Sequence, residues 1–169
     1  MLKTKDFSEQ QLLDYFTEHV RYEVQMLLNA TSGILQKLKV PQGLQHMAVE
    51  SYAMHLRNLI TFLYPSSLRD TDIYAKDFFI EEETWKKVRP ELSETLVKAK
   101  IRADREVGHL TIFRQNGTPT GKEWDVKNLT GELMPLINLC CESADKVKLK
   151  SLIDDCLTFH SQIKTLTTR

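Results

Sequence analysis

At 169 residues, with 41% apolar and 27% charged side chains, the chain is long enough for one domain with its own core and has the composition of a soluble globular protein. Lys plus Arg equals Asp plus Glu at 23 each, which excludes a bulk electrostatic binder of nucleic acid or membrane but leaves room for a local basic patch. No run is long enough to span a bilayer and the first ten residues lack the apolar core of a signal peptide. The cysteines (adjacent Cys140 and Cys141, with Cys156 apart) make no disulfide framework, so a cytoplasmic, single-domain protein over 1–169 with buried thiols is expected.

Ser8 followed three residues later by Gln11 forms a capping box. From there Leu13, Phe16, Val20, Val24, Leu27, Ile34 and Leu38 recur at three- to four-residue steps, with Thr31 in the one gap. This predicts a first helix over 8–39, with Gly33 marking a bend. Pro41 and Gly43 stop it. A second helix is predicted over 44–64, ended by Pro65. Its stripe of Leu44, Met47, Ala48, Tyr52, His55, Leu59, Phe62 and Leu63 carries His55 inside the apolar face, with Arg57 and Asn58 at its edge.

Residues 65–83 turn polar, and Asp70 and Asp72 read as turn or cap residues. Ile73, Ala75, Phe78 and Phe79 predict a short crossover helix whose aromatics plug one end of a bundle. Residues 85–90 read as a hinge, and a third helix over 91–113 shows Leu92, Leu96, Ala99, Ala103, Leu110 and Phe113 to the core. Residues 116–121 are a loop, after which Trp124 packs back. A fourth helix over 125–143, kinked at Pro135, turns Leu129, Leu133, Leu136, Ile137 and Cys140 inward, and a fifth runs over 144–166. With no alternating strand pattern and no internal repeat, the expected fold is all-α: an up-and-down bundle of four to five helices with a short crossover helix.

Two histidines carry most of the chemistry the sequence offers. His55, in the apolar face near Arg57, is either a core histidine satisfied by its neighbours or part of a polar pocket able to move a proton. His109 follows Gly108, which leaves room for a ligand or for close packing. Arg102 lies seven residues back, Arg105 four back and Arg114 five on. Guanidinium groups around one imidazole suit a phosphodiester. Between residues 86 and 114 eight basic side chains stand against four acidic ones, a local excess of +4; a solvated charged face explains such a run equally well. His46, Glu50 and His55 lack a recognised metal-ligand spacing, the cysteines lack one too, and no glycine-rich phosphate loop occurs, so no cofactor or metal is expected.

The stretches His55-Leu56-Arg57-Asn58-Leu59-Ile60 with Phe62 and Leu63, then Asp72 and Ile73 with Ala75, Asp77 and Phe78, then His109-Leu110-Thr111 with Arg114 occur in order across most of the chain. In these the chain resembles a set of uncharacterised bacterial all-helical proteins that are similar in outline to the HEPN superfamily. That resemblance implies a compact, often dimeric helical bundle, in a group where many members are metal-independent ribonucleases or RNA-binding modules of toxin and defence systems. The superfamily's signature is an arginine, often a polar residue next, and a histidine four to six residues on. Arg102 and His109 fit the longest spacing, and Ala103 departs from the polar preference.

The resemblance then implies His109 as acid or base at a ribose 2′-hydroxyl and Arg102, with Arg114, stabilising the phosphorane. The product would be a 2′,3′-cyclic phosphate, with helix three near a dimer interface. The residues themselves favour a different reading: a non-catalytic module for a protein partner or RNA, with no membrane association, in which His55, Arg57 and His109 join helices two and three. Charge neutrality and Ala103 weigh toward the second.

Overall fold

The computed structural model describes residues 7–36, 40–108, 112, 123–149 and 152. The fold is all-α, and no strand occurs among the described residues. The capping box at the start is present: the Ser8 hydroxyl accepts from the Gln11 N–H at 3.2 Å and Gln11 Oε1 from the Ser8 N–H at 2.9 Å. Helix α1 (Glu9–Tyr15) then passes through a π-helical turn (Phe16–Val20) into α2 (Arg21–Leu35). The buried positions explain the turn. Leu12, Phe16, Val20, Val24 and Leu28 all face the core at four-residue steps. In an ideal α-helix each such step overshoots a full turn by roughly 40°, so one wider turn keeps the stripe on one side. The irregularity expected at Gly33 falls here instead, and α2 runs through Gly33 unbroken.

Helix α3 (Gln42–Leu63) lies at the centre, packed on α2, on α5 (Glu94–Ala103) and on α6 (Val126–Ser143). Its core face is Tyr52, Ala53, Leu56, Leu59, Ile60, Phe62 and Leu63. Leu44 and Met47, expected inside, are 51% and 64% exposed; the first two turns of α3 carry the apolar pattern beyond the neighbours that bury the rest. Three hydroxyls join α2, α3 and α6 inside this core. Thr31 donates to the Leu27 carbonyl at 2.8 Å, so it accepts from Thr130 at 3.0 Å. Thr130 in turn faces Tyr52 Oη at 3.2 Å, and Tyr52 also reaches the Val126 carbonyl at 3.3 Å. Burial pushes the Tyr52 phenol well above its ordinary pKa.

The crossover behaves as its aromatics require. A 3₁₀ turn (Ala75–Phe78) is started by Asp77, whose carboxylate accepts from the Tyr74 N–H at 2.7 Å. Phe78 and Phe79 are buried, and Phe78 meets Phe16 and Phe62 edge-on. The expected hinge is a helix, α4 (Glu83–Val88), because Trp85 is large enough to anchor it: Trp85 is 2% exposed and its Nε1 donates to the Leu63 carbonyl at 2.8 Å. Arg89 donates to the same carbonyl at 2.6 Å and lies over the Tyr64 ring. Two side chains thereby satisfy an acceptor that the end of α3 leaves open.

Ser93 caps α5, accepting from the Leu96 N–H at 3.2 Å, and α5 passes into a second π-helical turn (Asp104–Gly108). The rest of the third predicted helix lies outside the described residues. Asp125 caps α6, in which Pro135 sits on the exposed side, and Trp124 packs on the core edge-on to Tyr52. Cys140 and Cys141 are buried, as expected, and burial raises the Cys140 thiol well above its ordinary pKa. Cys156 lies outside the described residues. Helix does not resume at Ala144: residues 144–149 are irregular, with Asp145 accepting from the Ile80 N–H at 2.8 Å and the Lys146 N–H donating to the Phe78 carbonyl at 3.2 Å. This tail therefore clamps the crossover before any fifth helix, whose remaining predicted length lies outside the described residues.

Candidate functional site

Where α2, α3 and the end of α5 meet, polar side chains form a continuous seam. His55 and Asn58 are three residues apart on α3 and so share a face. Both reach one carboxylate oxygen of Glu23 on α2: His55 Nδ1 at 2.8 Å and Asn58 Nδ2 at 3.1 Å. A carboxylate accepts, which assigns the proton to Nδ1 of the ring. Tyr22, beside Glu23, meets the His55 ring edge-on at 5.9 Å. The neighbouring Arg57 donates through Nε to Asp104 and, at 3.4 Å, through Nη1 to the Asn58 carbonyl oxygen. Lys100, one turn before Asp104, donates to its other oxygen at 3.2 Å.

Each carboxylate thus serves two donors. Burial pushes the Asp104 carboxyl up, but the hydrogen bonds from Arg57 and Lys100 outweigh it and hold the carboxyl below its ordinary pKa.

The seam forms one wall of a cavity of about 640 Å³. Val20, Leu59, Phe62 and Ile73 supply its apolar surface. Tyr15 and His19 line it from the first π turn and its approach, with ring centroids 4.7 Å apart, and Arg69, Asp72 and Tyr74 line it from the crossover. Both π turns found among the described residues border this one cavity, the first through His19 and Val20 and the second through Asp104. Such turns re-aim side chains and concentrate at functional sites.

Of the residues singled out from sequence, His55, Arg57 and Asn58 come together in this seam. Arg102 does not join them. Its Nε donates to Glu106 at 2.9 Å, its Nη1 to the Glu123 carbonyl at 2.8 Å, and its guanidinium lies 4.4 Å from the centre of the Trp124 ring. It belongs to a second groove with His46, Glu50 and Trp124. Arg105 is exposed, and His109 and Arg114 lie outside the described residues. Gly108 is exposed, and among the described residues a Cβ there meets the Ala103 carbonyl at an ordinary 3.7 Å.

Three of the eight basic side chains between residues 86 and 114 pair with a carboxylate four residues away, Lys98 with Glu94, Lys100 with Asp104 and Arg102 with Glu106. His46 and Glu50 are separated from His55, and among the described residues no group of three or more His, Cys, Asp or Glu is placed to hold a metal ion.

Glu23 and Asp104, which organise the seam, are the residues the sequence reading missed. Asp104 had a local signal in its four-residue spacing from Lys100; Glu23, thirty-two residues from His55, had none.

The described residues thus define an all-α helical bundle with a polar three-helix seam, and no helix among them is long and apolar enough to cross a membrane. Comparison with family models, curated proteins and solved structures finds no match to this chain.

Proposed function

We propose that the chain is a non-catalytic helical module that binds a protein partner or associates with RNA, and that its His/Arg seam holds the helices in register rather than performing chemistry. The observation that carries this reading is that both seam carboxylates are engaged from a neighbouring helix, Glu23 through one oxygen by His55 and Asn58, and Asp104 by Arg57, with Lys100 on its other oxygen. His55, Asn58 and Arg57 spend hydrogen bonds on carboxylates of neighbouring helices, which ties the helices to one another. Arg102, the arginine of the superfamily signature, is likewise engaged by Glu106, the Glu123 carbonyl and Trp124. Exposed apolar pairs at one-turn spacing, Leu44 with Met47 and Val97 with Ile101, provide surface for a partner or a second copy.

The competing reading is a HEPN-type metal-independent endoribonuclease. Incubating the full chain with single-stranded RNA in excess chelator separates the two. The module reading expects no cleavage above background, and no difference among wild type, Arg102→Ala and His109→Ala. Cleavage by wild type that falls 100-fold or more in His109→Ala, the size of a lost general acid–base group, overturns it in favour of the nuclease.

A further inference from the structure

Going beyond that reading, we infer that the 640 Å³ cavity beside the seam is a binding site for a small phosphate ester carrying an aromatic ring, of the nucleoside monophosphate class. The argument begins with donors and acceptors. The cavity's three carboxylates are already in use: Glu23 takes His55 and Asn58, Asp104 takes Arg57 and Lys100, and Asp72 takes the Tyr74 and Thr71 hydroxyls at 3.3 and 3.2 Å.

The donors are not exhausted. Lys100 has three N–H groups and directs one at Asp104. Arg57 has five, with Nε and Nη1 engaged and Nη2 without a partner among the described residues. The Arg69 guanidinium at the rim makes no hydrogen bond or ion pair among the described residues. The three cations that line the cavity, Arg57, Lys100 and Arg69, balance its three carboxylates, Glu23, Asp72 and Asp104, in formal charge, so what the wall offers a ligand is unspent N–H donors on charged groups. A wall whose carboxylates are each engaged and whose cations keep spare N–H donors fits a ligand rich in anionic oxygens.

The rest of the cavity says what the anion is attached to. The His19 and Tyr15 rings, tilted 55° to each other, and the Tyr74 ring line the cavity with Val20, Leu59, Phe62 and Ile73, which gives it an aromatic and apolar surface besides its charged groups. Inorganic phosphate uses none of that surface. The volume falls in the range of sites for single small molecules, not polymer channels. Both π turns found among the described residues border this space, and the core stripe accounts for the first.

Titration calorimetry on the full chain with AMP, GMP, inorganic phosphate, adenosine and a short single-stranded oligoribonucleotide tests this. Saturable binding of AMP or GMP is expected, at least about tenfold weaker for inorganic phosphate and absent for adenosine. Arg69→Ala, at an exposed rim position with no structural bond, is expected to weaken nucleotide binding about tenfold, the scale of one hydrogen bond to a charged group, without changing the melting temperature. Lys100→Gln should do the same to binding.

The inference is overturned if neither mononucleotide binds saturably, if adenosine or phosphate binds as tightly as AMP, or if binding is unchanged in both variants. It is equally overturned if the oligoribonucleotide binds while mononucleotides do not. Because these readouts are affinities and not RNA cleavage, failure here leaves the module reading to its own test.

Discussion

Replacing Trp85 by alanine is expected to lower stability by about 3–5 kcal/mol, the cost of removing a fully buried large aromatic, which makes it the most damaging single change in the crossover. Trp85 does three things at once. Its ring stacks on Phe79 at 5.9 Å, its edge meets Tyr64, and its N–H caps the Leu63 carbonyl at the end of α3. Trp85→Phe keeps most of the packing and loses the N–H, while Arg89 still satisfies Leu63. Its cost is therefore expected to be smaller, about 1–2 kcal/mol. Denaturant midpoints for the two variants check the ordering; a loss below 1 kcal/mol for Trp85→Ala contradicts the anchoring role.

The second large effect is in the seam. Asp104→Ala leaves Arg57 and Lys100 half-buried without their shared acceptor. At neutral pH the expected loss is about 1–2 kcal/mol, tempered by the roughly 30% exposure of these side chains. The pH dependence has a definite sign. The Asp104 pKa is held below its ordinary value of 3.8, so its contribution is complete above that value and disappears as pH falls through the lower, folded-state pKa. The gap between wild type and Asp104→Ala, read from urea midpoints, should stay constant from about pH 7 to pH 5 and narrow from about pH 4 downward. A gap that already changes between pH 7 and 5 contradicts the Asp104 carboxylate as its source.

The helices were legible in the sequence because periodicity and caps are local. Ser8 with Gln11, Pro65 and the 129–140 stripe each fix an end or a face within a few residues, and the aromatic plug at Phe78 and Phe79 could be read from composition alone. Two misreadings share one cause. Leu44 and Met47 continue the apolar pattern of α3 into turns that the described residues leave exposed, and residues 85–90 look like a linker until Trp85 finds the end of α3. Tertiary packing decided both.

The first π turn did have a signature, in five core positions spaced by four. The site was half legible: the cluster of His55, Arg57 and Asn58 was visible as a polar group on an apolar helix, while the carboxylates that complete it come from helices whose approach no single sequence encodes locally. Arg102 shows the converse, since a spacing that fits a catalytic signature belongs here to an arginine held by Glu106 and Trp124.

The central claim is that the seam is a structural tie. The most direct test is a double-mutant cycle on stability with Arg57→Ala, Asp104→Ala and the pair. A favourable coupling of about 1 kcal/mol is predicted, as for side chains that share a hydrogen-bonded ion pair. Additivity within about 0.3–0.5 kcal/mol would mean that the two side chains contribute independently and that the seam does not hold the helices together.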